Sequence, residues 1–259
     1  MTKLFVIDDD TKDKHFIHPN LGRGLDLSAR GPGEYGYGSA ATAFPEELII
    51  PENEWQSRIK EKEERQNRIS DHLKLNGIGP KNQQQTNYCW ANAPVMAMEI
   101  IRCLQGLKHI SLSPSSVAAQ IKNYRNEGGW GKEALQWISD KGVMPSSLWP
   151  DNAYNGRQYA TNQNKEAALD YTAPEWWELK VRNKAQLISC LLRNIPVPIG
   201  LNWWGHEVCA VDAVWLNGTA EPLILNSWGP DWGEGGYGVL AGARGLPDDA
   251  VAPRTAIAA

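Results

Sequence analysis

Cysteines are few in this sequence, and none of them is spaced as in a zinc site. The 259-residue chain has four, at Cys89, Cys103, Cys190 and Cys209. Because no pair forms C-x-x-C or a similar ligand spacing, a zinc site built from them is disfavoured. So few cysteines in a chain of this length, without a signal peptide, are typical of free thiols in a reducing compartment. One structural disulfide is the alternative that remains open.

Long apolar runs and an excess of charge of one sign are also missing. The apolar run near the N-terminus covers only Leu4 to Ile7, which is too short for a signal peptide. No run approaches the roughly 18 residues of a membrane span. The net charge is -4 at pH 7, and no basic stripe marks a nucleic-acid-binding surface. We therefore expect no nucleic-acid or membrane partner, and a cytoplasmic reducing compartment or a larger assembly as the location.

The first 67 residues differ from the rest and predict an N-terminal extension. Residues 1 to about 45 are Gly-rich and irregular, which indicates a loop-rich arm. This stretch does not end in Gly-Lys-Ser/Thr, so a phosphate-binding loop is disfavoured. The segment from Pro51 to Leu73 is charged, with Glu54–Arg58 and Glu61–Arg65 spaced four residues apart. It predicts one helix lying along a surface.

The remaining residues, 68–259, contain helical patterns first and strand patterns later. Apolar periodicity predicts helices from about Cys89 to Gln105, Ser113 to Arg125 and Lys132 to Lys141, and a short helix after Asn183. Four runs typical of strands follow: PVPIGLN, EVCAVDAVWL, PLILNSW and GYGVLAG. This order favours an α+β protein with a mainly helical half, residues 68–165, and a mainly β half, residues 166–245.

Three short stretches carry side chains suited to nucleophilic catalysis. NQQQTNYCWA places Cys89 at the start of a helix, where the helix dipole favours a thiolate. WWGHEVCAVDAV places His206 at the start of a strand, and LILNSWGPDWGEGGYGVL places Asn226 at the end of one. A cysteine nucleophile needs a base, and the base needs an orienting partner. Taken singly, the three are more typical of a core cysteine, a structural histidine and a turn, so the flanking residues must decide.

The flanking residues resemble those of the papain-like cysteine peptidases. NQQQTNYCWA resembles the family's N-Q-G-x-C-G-S-C-W-A segment without a gap, and NSWGPDWGEGGYG matches its N-S-W-G-x-x-W-G-x-x-G-Y-x almost residue for residue. NEGGWGKEALQWISDKGV and DHLKLNGIGPKNQ are similar to two further family segments. The resemblance extends from about Asp71 to Ala243. It implies a papain-like fold, with a helical left domain, a β-barrel-like right domain and the active-site cleft between them.

The resemblance also implies a role for the residues that match the catalytic motifs. It makes Cys89 the nucleophile and His206 the general base and later general acid. Asn226 would hold the imidazole, and Gln83 would donate to the oxyanion hole beside the backbone N–H of Cys89. The implied reaction is hydrolysis of a peptide or protein substrate through an acyl-enzyme. No metal or organic cofactor is implied.

Residues around this triad would support it or contact the peptide. Trp228 matches the Trp that covers the Asn–His hydrogen bond, and Trp232 matches one that lines the leaving-group side. Gly128 and Gly129 match the pair whose backbone aligns the substrate, where a side chain would block its approach. Trp130 follows them and would wall the main specificity pocket, with ordinary packing as the alternative interpretation.

Two of the departures from the family concern its disulfide and its propeptide. The family's disulfide cysteine near the nucleophile is Thr86 here, and its partner is Asn126. The first 67 residues lack most of the family's inhibitory propeptide pattern. We therefore expect them to form either a clasp around the catalytic domain, residues 68–259, or an arm that docks on a partner.

Two other functions remain open. The chain could be an assembly component that uses the fold, with the arm as its working part, or an acyl-transfer amidase or ligase with the same triad. A cleft filled beside Gly128 and Gly129 by the arm or by a partner chain would favour the assembly component. Product analysis with an added amine would separate acyl transfer from hydrolysis.

Overall fold

The computed structural model describes residues 4–15, 20–27 and 41–256. The predicted arm is therefore described in part. Its residues 1–3, 16–19 and 28–40 lie outside the described residues, as do residues 257–259. No helix in the described ranges is both long and apolar enough to cross a membrane.

The α-helices of the described residues all lie before residue 193 of the sequence. They are α1 (Lys12–His15), α2 (Glu52–Glu64), α3 (Ile69–Leu75), α4 (Cys89–Leu104), α5 (Pro114–Ile121), α6 (Gly131–Lys141), α7 (Asn162–Ala168) and α8 (Lys184–Leu192). α5 begins as predicted, because the Ser113 side chain caps it and Pro114 occupies its first position. It ends before the predicted Arg125, because Asn123 and Tyr124 have positive φ angles of 49° and 63°.

One mixed sheet crosses the other half of the fold. Its strands are β1 (Val6–Ile7), β2 (Ala41–Ala43), β3 (Trp176–Glu178), β4 (Val197–Leu201), β5 (His206–Leu216), β6 (Thr219–Leu225), β7 (Tyr237–Leu240) and β8 (Asp249–Pro253). The order across the sheet is β1-β7-β6-β5-β4-β8-β3-β2. β1 and β2 run parallel to their neighbours β7 and β3, and the other pairs are antiparallel. The α+β class is confirmed, and the four predicted strand runs are β4 to β7.

The charged segment from Pro51 to Leu73 forms two helices, so the prediction of one helix is wrong. The chain turns after α2, where Gln66 has a φ of 50°. Asp212 of β5 then accepts hydrogen bonds from the backbone N–H groups of Ile69 at 2.8 Å and Ser70 at 3.1 Å. A buried carboxylate on the sheet therefore caps the start of α3. The local sequence does not predict this contact.

α4 lies between the helical half and the sheet. On one side it packs against α5 and α6, in a cluster that includes Val95, Met98 and Leu135. On the other side it packs against β5, in a cluster that includes Ile100 and Val211. Burial of each such side chain contributes about 1.5–3 kcal/mol. This packing fixes the start of α4, which is Cys89, relative to the start of β5, which is His206.

The described parts of the arm belong to the same core. Ile7 of β1 is fully buried where β1 pairs with β7. Phe44, Ile50 and Trp55 are buried in the cluster on the outer face of the sheet. Residues 20–27 lie between these two attachments in the sequence, so the chain on either side of them is fixed to the body of the protein.

Candidate active site

Cys89 is the first residue of α4 and is fully buried. The backbone N–H groups of Glu207 and Trp90 favour the thiolate and lower the pKa of the thiol. Burial acts more strongly in the opposite direction and raises the pKa of Cys89 well above its ordinary value, and the negative charge of Glu207 adds to that increase. The nucleophile candidate is therefore a neutral thiol in this conformation.

His206 and Asn226 form a hydrogen-bonded pair. The His206 Nε2–H donates to Oδ1 of Asn226 at 2.8 Å, and the same oxygen accepts the backbone N–H of Ser227 at 2.8 Å. Nδ1 of His206 has no hydrogen-bond partner among the described residues. The Trp228 ring stacks on the imidazole, with centroids 4.6 Å apart. Asn226 thus fixes the ring's orientation, and Trp228 covers the pair.

Burial keeps the imidazole neutral. It lowers the pKa of His206 to about 3 from an ordinary 6.5, although the hydrogen bond to Asn226 raises the pKa in part. The positive charge of Arg23 lowers it further. With Cys89 protonated as well, the described conformation holds a thiol and a neutral imidazole rather than an ion pair.

Gln83 is held in a fixed orientation by the segment that carries Asn226. The backbone N–H of Gln83 donates to the Ser227 carbonyl at 2.8 Å, and the Ser227 hydroxyl donates to Oε1 of Gln83. The Gln83 amide Nε2 then donates to the carbonyls of Thr86 at 2.8 Å and Gly22 at 3.0 Å. Ser227 therefore sets which end of the amide faces the cleft.

A segment of the arm fills the cleft beside these residues. We call residues 20–27 the strap. Leu25 pairs with Gly129 in a parallel bridge. The backbone N–H of Gly129 donates to the Gly24 carbonyl at 2.9 Å, and the backbone N–H of Asp26 donates to the Gly129 carbonyl at 3.0 Å. The Trp130 indole N–H donates to the Asp26 carbonyl at 2.7 Å. The backbone of the strap thus contacts Gly129 and Trp130, in the segment that the family resemblance assigns to substrate alignment.

Further contacts hold the strap on the His206 side. The Gly22 carbonyl accepts a second hydrogen bond from the Trp228 indole at 2.9 Å. The Arg23 guanidinium donates to the Trp204 carbonyl at 2.6 Å. Gly24 has a φ of 141°, and a Cβ built on it would stand 2.1 Å from the Asn87 carbonyl oxygen. A residue with a side chain could not take this place.

The predicted contact residues lie around the strap, with one exception. A Cβ on Gly128 would stand 2.5 Å from the Gly24 carbonyl oxygen, so this glycine permits the close approach. Trp130 contacts the strap through its indole. Trp232 instead packs against Phe5 of the arm, with ring centroids 5.1 Å apart. Trp232 therefore lies on the side of the site where the N-terminal segment is attached.

Asn126 replaces the family's disulfide contact with hydrogen bonds. Its Oδ1 accepts the backbone N–H of Asn87 at 2.6 Å, and its Nδ2 donates to the Gln85 carbonyl at 3.3 Å. All four cysteines are free thiols, so the alternative of a structural disulfide is wrong. In the described part of the chain, no group of His, Cys, Asp or Glu side chains is arranged to hold a metal ion.

Three contributors to the site were not assigned from the sequence. Ser227 lies inside the NSWG motif, so its place beside Asn226 was a usable signal. Trp204 is two residues before His206 and meets the imidazole edge-on, with centroids 5.0 Å apart. The position of the strap could not be predicted from the sequence, because a Gly-rich segment is equally compatible with a free loop and with a narrow cleft.

Comparisons with known proteins identify relatives of this chain. A sequence model described as "Papain family cysteine protease" matches residues 74–208, just over half of the chain. Ananain from Ananas comosus is 27% identical over 183 residues, which cover 62% of this chain and 51% of ananain. Cathepsin L 2 from Paramecium tetraurelia is 26% identical over 196 residues, which cover 67% of this chain and 58% of that protein. The chain thus spans about half the length of ananain and of similar relatives.

Solved structures share the fold. Procathepsin L 3 from Tenebrio molitor larval midgut has a TM-score of 0.62 at 20% identity, covering 93% of this chain and 78% of that one. Xylellain, a cysteine protease from Xylella fastidiosa, has a TM-score of 0.64 at 16% identity, covering 92% and 98%. The papain-like fold is therefore confirmed. The chain belongs to the papain family of cysteine proteases.

Proposed function

We propose that the chain is a cysteine peptidase that hydrolyses peptide bonds in peptides or proteins. The observation that carries this proposal is the 2.8 Å hydrogen bond between His206 and Asn226, which leaves Nδ1 of the imidazole to take the proton of Cys89. Cys89 at the start of α4 and Gln83 with its amide in the cleft support the same assignment. Residues 68–259 would be the catalytic domain and residues 1–67 an extension of it.

Each step of the proposed reaction uses one of these residues. His206 takes the Cys89 proton, and the sulfur attacks the peptide carbonyl carbon. Gln83 and the backbone N–H of Cys89 stabilise the oxyanion. His206 then gives its proton to the leaving amine as the C–N bond breaks. It next takes a proton from water, whose oxygen attacks the acyl carbon. As the C–S bond breaks, His206 returns that proton to the sulfur, which releases the acid and restores the Cys89 thiol.

We propose further that the strap inhibits this reaction. It lies against Gly129 and takes a hydrogen bond from Gln83, two contacts that a bound peptide would need. It also excludes water from Cys89 and His206, and burial keeps both groups neutral. A peptide substrate would therefore have to replace the strap before the thiolate could form.

A cleft filled by the arm is the arrangement that we expected to favour an assembly component. The filling segment belongs to the same chain, however, and beneath it His206 keeps its contact with Asn226 and Gln83 keeps its contacts with Ser227. An inhibited peptidase has the same features. A docking partner for the arm would act in this scheme by drawing the strap out of the cleft.

Labelling of Cys89 tests the proposal. We expect an epoxysuccinyl probe to label the full-length protein slowly and once under reducing conditions, and Cys89→Ala or His206→Ala to abolish the label. Removal of residues 1–67 would also remove Phe44, Ile50 and Trp55 from the core, so displacement of the strap is the sharper test. Gly24→Val should eject the strap and accelerate labelling.

Gly79→Val is the matched control, because Gly79 is exposed and a Cβ there meets no atom within 4 Å. It should leave the labelling rate unchanged. Failure of both the natural chain and Gly24→Val to label would sink the peptidase proposal and leave the assembly component. Equal labelling rates for the two chains would instead refute inhibition by the strap. Products formed with an added amine would reveal acyl transfer.

The four free thiols support one further proposal, that the chain works in a compartment that keeps thiols reduced. Fractionation of the cells that produce it would test this location.

A further inference from the structure

Glu207 is a buried carboxylate beside the site, and the family motifs give it no role. It follows His206 on β5 and is 1% exposed. Its Oε2 accepts a hydrogen bond from the backbone N–H of Gly131 at 2.9 Å. Gly131 is the first residue of α6, so this side chain joins the sheet to a helix of the helical half.

Gly131 makes the contact possible. A Cβ on Gly131 would stand 1.9 Å from Oε1 of Glu207, so a side chain at this position would displace the carboxylate. The first turn of α6 also favours a negative charge, because its backbone N–H groups lack partners within the helix and the helix dipole is positive there. The two residues therefore form a complementary pair across the two halves of the fold.

This pair lies between the peptide-aligning segment and the nucleophile. Gly129 and Trp130, which hydrogen bond to the strap backbone, directly precede Gly131. On the other side, the backbone N–H of Glu207 favours the thiolate of Cys89. The backbone of Glu207 thus acts on Cys89. Its side chain contacts α6, the helix that follows the peptide-aligning segment.

We propose that Glu207 is a positioning residue of the peptidase site. It holds the start of α6, and with it Gly129 and Trp130, in place relative to Cys89 and His206. Without the carboxylate, a bound peptide would align along Gly129 less accurately with respect to the sulfur. This inference rests on the proposed function.

The charge of Glu207 has a separate effect on the nucleophile. Its negative charge disfavours the Cys89 thiolate and raises the pKa of that thiol, in addition to the larger effect of burial. Arg23 of the strap opposes this effect, because its positive charge lowers the pKa of the same thiol. The imidazole of His206 is neutral in this conformation, and the Lys122–Glu133 ion pair lies beside Trp90. Glu207→Gln keeps an oxygen that can accept the Gly131 N–H and removes the charge, so it separates the two effects.

The test compares two reagents on the same thiol. A peptidyl epoxysuccinate must align along Gly129 before it reacts, whereas iodoacetamide needs only the thiol. We expect Glu207→Ala to lower the second-order rate constant of the peptidyl reagent by about 10–100-fold, as expected for a misaligned reactant, and that of iodoacetamide much less. Gly131→Ala should reproduce this selective loss. Glu207→Gln should keep the peptidyl rate near that of the natural chain and shift the iodoacetamide pH profile to lower pH.

Glu221 provides a matched control. It is 3% exposed on β6, and its Oε1 accepts the backbone N–H of another glycine, Gly242, at 3.0 Å. Glu221→Ala should lower stability and leave the ratio of the two rate constants unchanged. All reactions are run in the full-length chain and in its Gly24→Val variant, so that the strap is present in one series and displaced in the other.

Three outcomes decide the proposal. Selective loss of the peptidyl reaction in Glu207→Ala and Gly131→Ala, with rescue in Glu207→Gln, supports the positioning role. Equal losses toward both reagents, or a Glu207→Gln variant as defective toward the peptidyl reagent as Glu207→Ala, overturns it. No reaction of Cys89 with either reagent in any chain would overturn the proposed function instead.

Discussion

Burial controls the charge of the two residues that would react first. Cys89 and His206 are fully buried beneath the strap, and both are neutral there because burial disfavours their charged forms. The helix dipole at the start of α4 and two backbone N–H groups act in favour of the thiolate, but burial outweighs them. The same residues would therefore be unreactive under the strap and reactive in an open, hydrated cleft.

At this scale the first prediction concerns pH. His206 has a pKa of about 3 in the covered form, and an open cleft should restore a value near 6.5. Between these values the open form binds a proton that the covered form does not, so lowering the pH from 6.5 towards 3 should favour opening. The Gly129 amide donates to the strap. Its protection from hydrogen exchange, corrected for the intrinsic rate, should therefore fall as the pH is lowered.

The Ala241 amide is the internal control, because it donates to Ile7 at 2.8 Å away from the strap. His206→Gln should remove the part of the pH dependence that this residue causes. Constant protection of Gly129 between pH 6.5 and 4 would contradict the linkage between strap opening and protonation of His206.

A second prediction concerns the oxyanion hole. Gln83→Ala removes a donor and should slow peptide hydrolysis by about 10²–10³-fold. Ser227→Ala keeps the donor and removes only the hydroxyl that orients it, a hydrogen bond worth about 1 kcal/mol, so the rate should fall roughly fivefold. Steady-state kinetics would measure both changes in kcat. A Ser227→Ala loss as large as that of Gln83→Ala would mean that Ser227 does more than orient the amide.

Among the elements, α3 depends most on a distant partner. Asp212 is buried on β5, and burial raises its pKa, yet its two oxygens cap the start of α3. Local sequence predicts a continuous helix through this region, because the residues between α2 and α3 are compatible with one. The break is decided by the sheet, which brings the carboxylate to residues 143 and 142 positions away in sequence.

A third prediction follows for this element. Asp212→Ala removes two hydrogen bonds to a buried helix start and should lower the free energy of unfolding by about 2–4 kcal/mol. Urea denaturation would measure the change. Asp170→Ala alters an exposed carboxylate and should stay within about 0.5 kcal/mol of the natural chain. Similar losses in both variants would argue against a specific cap.

The described parts of the arm and the residues proposed to be catalytic pack in the same molecule around a common sheet. β1 extends one edge of the sheet and β2 the other. Residues on both sides of the predicted boundary at residue 67 therefore pack in the same hydrophobic cluster. An extension fixed at both ends keeps the strap at a high effective concentration beside the cleft.

A fourth prediction concerns the pH dependence of global stability. Burial raises the pKa of Glu178 on β3 to about 7 from 4.5, and Lys132 lowers it only in part. The folded state therefore holds a proton that the unfolded state releases, and stability should fall as pH rises from about 4.5 through 7. Glu178→Gln should remove this loss and raise the free energy of unfolding at pH 8 by about 1–3 kcal/mol.

Chemical denaturation at pH 5 and pH 8 would test this prediction. Glu166→Gln, at an exposed carboxylate, should change neither value. An equal effect of Glu178→Gln at both pH values would show that the substitution acts through packing and not through titration.

The sequence by itself determined the family, the α+β class and the motif positions of Cys89, His206 and Asn226 along the chain. Those residues stand in local motifs, and apolar periodicity locates the elements that carry them. Only the tertiary structure decided that the strap fills the cleft, that Asp212 caps α3 and that Glu207 contacts Gly131. These contacts join residues far apart in the chain, and each depends on space and charge that exist only after the two halves have packed together.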